Sequence, residues 1–187
     1  MYIEKKYIDG IVRKEPDAQK EVYAQLLPYL NAICGRYLNE LSSRKDVLQE
    51  AYIKIFTKVG QFNHERGEFH SWAARILINT CLLHNNKGKA KETLEITDQI
   101  VQVSIRPEIL AALRNEDVLK FLKTMPTNYY TVFNLFIVDG YTHQEIATLL
   151  DINESLSRQW LSRAKRWLKK HIDFDSGVFS YDNYSNN

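Results

Sequence analysis

Apolar residues recur at spacings of three and four through every long segment of this chain, and the period-two alternation of a half-buried strand is scarce. This periodicity constrains the fold more than any other feature, because each segment gains one continuous apolar stripe only when it is helical. The sequence therefore predicts an all-α protein. Helices are predicted over residues 2–13, 17–39, 43–60, 68–86, 108–124, 127–138, 142–150 and 154–171.

The stretch from Asn86 to Pro107 shows no helical period, carries alternating lysines near its start and closes on a proline. About 20 residues without regular structure are uncommon inside one compact domain, so this stretch favours two small helical domains joined by a flexible linker. The predicted organisation is a first domain over 1–86, a linker over 87–107, a second domain over 108–174, and a tail over 175–187 to which no fold is assigned.

Cellular location is indicated by cysteine usage and by the absence of long apolar runs. The two cysteines, Cys34 and Cys81, lie inside apolar helical patterns, which favours reduced thiols in a core. The N-terminal segment lacks the apolar region of a signal peptide, and no run approaches the ~20 apolar residues that a membrane span needs. We therefore expect a cytoplasmic protein without membrane insertion.

The segment from Asp139 to Lys170 has the pattern of a helix-turn-helix, with a short helix, a tight turn and a longer basic helix. Thr142 with Glu145 predicts a capping box, and Asp151 is predicted to form the turn. The predicted apolar stripe of the second helix consists of Leu156, Trp160, Ala164 and Trp167 or Leu168. Side chains off this stripe suit base edges (Ser155, Ser157, Arg158, Gln159) or phosphates (Arg163, Lys165, Arg166, Lys169). The alternative is a solvated basic face on an ordinary helical hairpin.

The predicted helix over 43–60 carries a second candidate surface, opposite its apolar face. Asp46, Gln49, Glu50 and Ile53 fall together on that side, so an apolar residue lies among carboxylates and an amide. This composition suits a polar-rimmed surface that docks another protein. The alternative is a single stray isoleucine on a solvated face.

The loop from Gln61 to Gly67 is polar, and the helix that follows it carries Trp72 and Arg75 and leads into a basic segment. Single-stranded nucleic acids bind surfaces of this kind, because bases stack on aromatic rings and cations follow the phosphates. The alternative for Trp72 is packing in a core.

Three segments, in this order, resemble bacterial RNA polymerase sigma factors of the extracytoplasmic-function (ECF) group of the sigma-70 family. "KDVLQEAYIKIF" resembles the family's region 2.2, and "FHSWAARILINT" resembles its Phe-x-x-Trp-x-x-x-Ile-x-x-Asn segment. "MPTNYYTVFNLFIVDGYTHQEIATLLDI" followed by "LSRAKRWL" resembles region 4. The resemblance implies two helical domains, regions 2 and 4, in a protein that is not an enzyme and uses no cofactor or metal. It would direct core polymerase to promoters, help melt the −10 element and leave after initiation.

The resemblance also implies a role for individual residues. The core polymerase, through its β and β′ subunits, would be bound by Asp46, Gln49, Glu50 and Ile53. The −10 element would be bound by Asn63, His64, Arg66, Trp72, Arg75, Asn79 and Lys87. The −35 element would be bound by Thr142, Ser155, Ser157, Arg158, Gln159, Ser162, Arg163, Lys165 and Arg166.

Several positions depart from the family pattern, among them Leu83, Asn86, Lys87 and the pair Ser155–Leu156. Each lost phosphate contact weakens binding to DNA. We therefore expect promoter selection to need a DNA-bound recruiter protein, and an anti-sigma factor is left open as a further partner.

Two other classes of protein are alternatives to a sigma factor. A free-standing helix-turn-helix transcriptional regulator would bind operators without polymerase. An enzyme is disfavoured, because the chain has no Gly-rich phosphate loop and Cys81 with His84 forms only half of a zinc site.

Overall fold

The computed structural model describes residues 2–85, 116–173 and 178–179. The chain divides into two units, and the division falls among residues outside these ranges. Unit 1 below means residues 2–85, and unit 2 means residues 116–173 with 178–179. The predicted linker over 87–107 and the predicted helix start at residue 108 lie outside the described residues, so the domain bounds stay a prediction.

Unit 1 is a helical bundle, as the periodicity predicted. Its helices are α1 (Lys5–Val12), α2 (Pro16–Tyr37), α3 (Leu41–Lys58) and α4 (Phe69–Asn85). Two short 3-10 turns, Val59–Gln61 and His64–Arg66, connect α3 to α4. Pro16 occupies the first position of α2, where its missing N–H costs nothing and its fixed φ suits a helix start. The four predicted helices of this unit are confirmed, with ends that differ by a few residues.

The core of unit 1 forms where α2, α3 and α4 face one another. Residues at helical spacings on each helix lose all or nearly all contact with solvent: Val22, Leu26 and Leu30 on α2, Val47, Ala51 and Ile55 on α3, and Leu77, Ile78 and Cys81 on α4. Burying one such side chain contributes about 1.5–3 kcal/mol relative to leaving it exposed. This packing fixes which side of α3 and α4 remains available to a partner.

Unit 2 contains α5 (Glu116–Leu122), α6 (Thr127–Phe133), α7 (His143–Leu150) and α8 (Glu154–His171). The predicted helix over 127–138 is present, but its last turn, Asn134–Val138, has π-helical hydrogen bonding. Its core brings α5, α6 and α8 together around the rings of Phe121 and Trp167, whose centroids are 5.2 Å apart. The helix-turn-helix pattern is confirmed as α7, a turn and α8.

The two residues that directly follow α8 pair with two residues of the predicted tail. Ile172 lies opposite Phe179, and Asp173 lies opposite Val178, in an antiparallel ladder of two-residue strands. No fold is predicted for the tail from its sequence, so this ladder is a correction for residues 178–179. It is too short to change the all-α class.

The turn between α7 and α8 depends on a left-handed residue. Asp151 has φ 55° and ψ 48°, a conformation that glycine, asparagine and aspartate adopt more readily than other residues. Asp151→Val is therefore expected to lower the free energy of unfolding of unit 2 by about 1–2 kcal/mol, because a β-branched side chain clashes there. Urea unfolding followed by circular dichroism measures this loss.

The matched control for that turn is Asp151→Gly, which keeps the left-handed conformation accessible. We expect it to leave the stability within about 0.5 kcal/mol of wild type. Equal losses in both variants would show that the carboxylate matters and the backbone conformation does not.

Candidate docking surface and nucleic-acid interfaces

One side of α3 faces solvent and carries the four residues predicted to bind polymerase. Asp46, Gln49 and Glu50 are exposed, and the side chain of Ile53 is 57% exposed. Their spacing of three, four and seven residues aligns them along one side of the helix. We call these four residues the acidic α3 surface. An isoleucine this exposed among carboxylates has no packing role inside unit 1.

A lysine that the sequence analysis did not single out ties this surface to α4. Lys54 Nζ lies 2.6 Å from Glu50 Oε1 and donates to the hydroxyl of Thr80 at 3.3 Å. The Thr80 hydroxyl in turn donates to the carbonyl of Ile76 on its own helix at 2.8 Å. The acidic α3 surface and α4 are thereby connected through one cation. No pattern in the sequence marks Lys54, since an exposed lysine on a helix is usually solvated.

The polar loop before α4 has a defined conformation. Asn63 Oδ1 accepts a hydrogen bond from the backbone N–H of Glu65 at 2.8 Å, which caps the 3-10 turn His64–Arg66. Gly67 follows with φ 142°, a conformation open to glycine. Asn63, His64 and Arg66 are exposed on this loop, as a surface for nucleic acid requires.

Trp72 is buried, which corrects the prediction that it contacts DNA. Trp72 is only 5% exposed, and the centroid of its ring lies 5.4 Å from that of Phe69 and 5.7 Å from that of Phe62. Aromatic clusters of this kind stabilise a core, and an indole within one offers no open face for a base. Trp72 therefore supports the loop and α4 from inside unit 1.

Arg75 and Asn79 lie one and two turns beyond Trp72 on α4, and both are partly exposed. The amide oxygen of Asn79 is buried without a hydrogen-bond partner among the described residues. A buried acceptor of this kind is costly, and a donor from a base would reach it only if neighbouring side chains moved. Lys87, the remaining residue predicted for this site, lies outside the described residues.

The helix-turn-helix is capped at both of its helix starts. Thr142 Oγ1 accepts from the backbone N–H of Glu145 at 3.2 Å, and the backbone N–H of Thr142 donates to Glu145 Oε2 at 2.7 Å. The predicted capping box is thus confirmed. Asn153 Oδ1 accepts from the backbone N–H of Leu156 at 2.8 Å and caps α8. The Thr142 hydroxyl belongs to the capping box of α7, and Thr142 is only partly exposed.

Ser157 does not face solvent, which corrects its prediction as a base-contacting residue. It is 0% exposed, and its hydroxyl lies 2.8 Å from Nδ1 of His143, at hydrogen-bond distance. The His143 ring stacks on Phe136 with centroids 4.4 Å apart. The buried stripe of α8 consists of Ser157, Leu161, Ala164 and Trp167. Relative to the predicted stripe, its first turns are shifted by one residue, about 100° around the helix.

The exposed side of α8 is strongly cationic. Arg158 is paired with Glu154 at 2.8 Å, and Arg163 Nη1 donates to the hydroxyl of Tyr129 at 3.3 Å. Positive side chains on one side of a helix form the electrostatic footprint of DNA binding. The exposed residues predicted for this site are Ser155, Arg158, Gln159, Ser162, Arg163, Lys165 and Arg166.

The histidine inside the helix-turn-helix makes the stability of unit 2 depend on pH. Burial lowers the pKa of His143 below its ordinary value of about 6.5, and the charge of nearby Arg158 lowers it further. The unfolded chain then binds this proton more readily, so stability is lost as pH falls through about 6.5. Wild type should lose stability between about pH 7 and about pH 5, and His143→Gln should lose less.

Urea unfolding at the two pH values, with the signal taken from unit 2, measures this difference. His64→Gln, which removes an exposed histidine from unit 1, is the control and should keep the wild-type dependence in unit 2. A His143→Gln protein with the same pH dependence as wild type would contradict the prediction.

Comparison with known proteins shows the family of this chain. Residues 22–89 match the family model for Sigma-70 region 2, and residues 115–168 match that for Sigma-70, region 4. The ECF RNA polymerase sigma factor SigW of Bacillus subtilis is 26% identical over 181 residues, which cover 90% of this chain and 96% of SigW. The chain belongs to the ECF group of the sigma-70 family. Sigma factors are promoter-directing subunits of RNA polymerase and are not themselves enzymes.

Other relatives agree with this sigma-factor assignment. The RNA polymerase sigma-H factor of Pseudomonas aeruginosa is 27% identical over 163 residues, which cover 79% of this chain and 83% of that protein. The solved structure of CnrH in complex with the cytosolic domain of CnrY covers 88% of this chain and 93% of its own, at 16% identity and a TM-score of 0.50. At that identity the structural likeness supports the fold alone.

Two further observations concern only the part of the chain that the structure describes. No helix there combines the length and the apolar character that crossing a membrane requires. No group of three or more histidine, cysteine, aspartate or glutamate side chains there is arranged to hold a metal ion.

Proposed function

We propose that this sigma factor docks on core RNA polymerase through the acidic α3 surface, captures an opened −10 element with the Asn63–Arg66 loop and α4, and recognises the −35 element with α8. The observation that carries the proposal is the exposed Ile53 between Glu50 and Gln49, on a helix whose opposite side is fully buried. We further expect the protein to act in the cytoplasm, beside the polymerase.

The acidic α3 surface suits a partner with basic side chains around an apolar one. Burying the Ile53 side chain would contribute roughly 1.5–3 kcal/mol, and the carboxylates of Asp46 and Glu50 would select cations on the partner. Glu50 is already paired with Lys54, so a partner cation must displace or share that contact. The Glu50 side chain is 53% exposed and that of Lys54 is 32% exposed, so releasing this helical i,i+4 pair costs about 0.3–0.5 kcal/mol.

The −10 interaction rests on the ordered loop and on α4. Flipping a base out of the stack costs a few kcal/mol, which a preformed pocket must offset. The loop offers Asn63, His64 and Arg66 in a capped conformation, and Asn79 on α4 is partly exposed. We propose that Arg75 and Lys87 contact phosphates near this pocket. Trp72 contributes indirectly, by holding Phe62 and Phe69 beneath the loop.

The −35 interaction rests on the exposed side of α8. Ser155, Gln159 and Arg158 lie near its N-terminus, where a recognition helix contacts base edges. Arg158 must leave Glu154 to do so, at little cost for an exposed pair. Further along, Ser162, Arg163, Lys165 and Arg166 suit the phosphate backbone, and Thr142 lies at the start of α7.

Both DNA contacts are small, so we propose that neither is strong alone. A single module buries little DNA surface, whereas two modules held by one polymerase gain effective concentration from the linkage. A DNA-bound recruiter protein would strengthen this further, and an inhibitory partner remains an expectation. CnrH, which shares this fold, was solved bound to the cytosolic domain of CnrY. A free-standing helix-turn-helix regulator is not favoured, because both units match sigma regions.

The experiment that tests polymerase docking is a binding titration of purified bacterial core RNA polymerase with Glu50→Lys. We expect at least about tenfold weaker binding than wild type, because the lysine places a cation against a basic partner and beside Lys54. Unchanged affinity of Glu50→Lys for the core would contradict this docking surface.

Two control variants separate the possible causes of that loss. Lys20→Glu reverses an exposed charge on α2 and should leave binding unchanged. Lys54→Met removes the competing cation, so it should preserve or tighten binding to the core while circular dichroism confirms the fold. Weaker binding by Lys54→Met would indicate that the Glu50–Lys54 pair itself is part of the binding surface.

A further inference from the structure

The two cysteines of the chain face each other inside unit 1. Cys34 on α2 and Cys81 on α4 are both buried and reduced, and their sulfur atoms are 4.0 Å apart. They are the only cysteines in the sequence, and they are separated by 47 residues along it. Neither belongs to the surfaces proposed for polymerase or DNA. The apolar helical patterns predicted core thiols, and no feature of the sequence indicates that the two meet.

The surroundings of the pair distinguish its two sulfurs. The thiol of Cys81 donates a hydrogen bond to the sulfur of Cys34, and the Cys34 thiol donates to the backbone carbonyl of Arg44 at 3.8 Å. The hydrogen bond from Cys81 lowers the pKa of the Cys34 thiol, and the Arg44 charge adds to this while burial opposes it. A thiol whose thiolate is favoured is the better nucleophile toward an oxidant.

The pair also lies close to the ends of both helices. Cys34 precedes Tyr37, the last residue of α2, by less than one turn, and Cys81 is about one turn from Asn85 at the described end of α4. The side-chain amide of Asn85 donates to the backbone carbonyl of Tyr37 at 3.1 Å and joins the two ends. Helix ends open more readily than helix centres, so local opening at these ends would admit a small oxidant without global unfolding.

We propose that Cys34 and Cys81 are an oxidation site for hydrogen peroxide, at which Cys34 reacts first and Cys81 resolves it into a reversible intramolecular disulfide. The Cys34 thiolate attacks the peroxide, its O–O bond breaks, and Cys34 sulfenic acid forms while one water leaves. The Cys81 sulfur then attacks the Cys34 sulfur, an S–S bond replaces the S–O bond, and a second water leaves. Two thiols and one peroxide thus yield one disulfide and two waters.

Closing the bond requires the two sulfurs to approach by about 2 Å, because a disulfide is about 2.05 Å long. Side-chain rotation with a small shift of the helix ends provides this movement. Strain from such a shift makes a disulfide easier to reduce, so dithiothreitol should restore both thiols. The product would fasten α2 to α4, the helix that carries Arg75 and Asn79.

The test treats the full-length protein with hydrogen peroxide, unfolds it in N-ethylmaleimide and measures its intact mass and peptide map under non-reducing conditions. Wild type should lose both free thiols together, with a mass lower by two hydrogen atoms and a Cys34–Cys81 linked peptide. Cys81→Ser should stop at a Cys34 sulfenic acid that dimedone traps. Cys34→Ser should react more slowly than Cys81→Ser.

Asn85→Ala tests the route to the pair without altering either sulfur. Losing one hydrogen bond between the helix ends should speed disulfide formation about fivefold. Circular dichroism and thermal unfolding confirm that each variant is folded. The proposal is overturned if peroxide oxidises the methionines of the wild-type protein while both of its thiols still react with N-ethylmaleimide. It is also overturned if the disulfides are only intermolecular, or if Asn85→Ala oxidises at the wild-type rate.

Discussion

Trp72→Ala is expected to lower the free energy of unfolding of unit 1 by about 3–5 kcal/mol, the usual cost of removing a buried tryptophan. The indole is 5% exposed and contacts the rings of Phe62 and Phe69, so its removal leaves a cavity beneath the Asn63–Arg66 loop. Urea unfolding followed by far-ultraviolet circular dichroism measures the loss. A domain of ordinary stability has only about 5–15 kcal/mol in total, so the variant should be close to unfolding.

Two other substitutions calibrate that result. Trp72→Phe keeps much of the buried volume and should cost clearly less than the alanine variant. Tyr2→Ala removes an aromatic residue that is 71% exposed and should change stability by less than about 0.5 kcal/mol. If Trp72→Ala behaved like Tyr2→Ala and lost only affinity for single-stranded DNA, the ring would be a base-stacking surface and its burial would be wrong.

Ser157→Leu is expected to lower the stability of unit 2 by about 3 kcal/mol. A larger side chain at a fully buried position forces neighbours apart, which costs about 1–3 kcal/mol, and the hydrogen bond with His143 is lost in addition. Affinity for DNA should fall for every sequence, because the whole of α8 is displaced. The measurement is urea unfolding of the full-length protein, with DNA binding measured separately.

Ser162→Leu is the matched variant, since it makes the same chemical change about one and a half turns further along α8 at an exposed position. It should leave stability within about 0.5 kcal/mol of wild type. If Ser157→Leu were as stable as Ser162→Leu and changed only sequence preference, Ser157 would contact bases after all.

The contrast between these serines shows what the sequence determines about α8. Periodicity predicted its existence and placed Ala164 and Trp167 on the buried side, as observed. It misplaced the first turns, because Leu156 and Trp160 are large apolar residues and Ser157 contributes nothing to an apolar pattern. A small serine is buried there because His143 approaches α8 closely and needs a hydrogen-bond partner, a tertiary contact that no local pattern reports.

The same distinction holds for the remaining elements. The helices of both units follow from apolar spacing and start signals such as Pro16 and Thr142, because these act locally. The π-helical turn at Asn134–Val138 and the pairing of Ile172 with Phe179 depend on packing and on non-local hydrogen bonds. On α3, helical periodicity sufficed to predict that Ile53 lies on the exposed side. The hydrogen bond from Lys54 to Thr80 could not be predicted in this way, because Thr80 belongs to the neighbouring helix.

The most direct test of the central claim is transcription in vitro by purified bacterial core polymerase on fragmented genomic DNA, with and without this protein. We expect new transcripts with defined 5′ ends that require the wild-type protein and fall at least about tenfold with Glu50→Lys, in parallel with core binding. Weak initiation that strengthens with a DNA-bound recruiter would agree with the departure from the family pattern at Ser155–Leu156. No protein-dependent start sites, together with tight DNA binding in the absence of polymerase, would contradict the account.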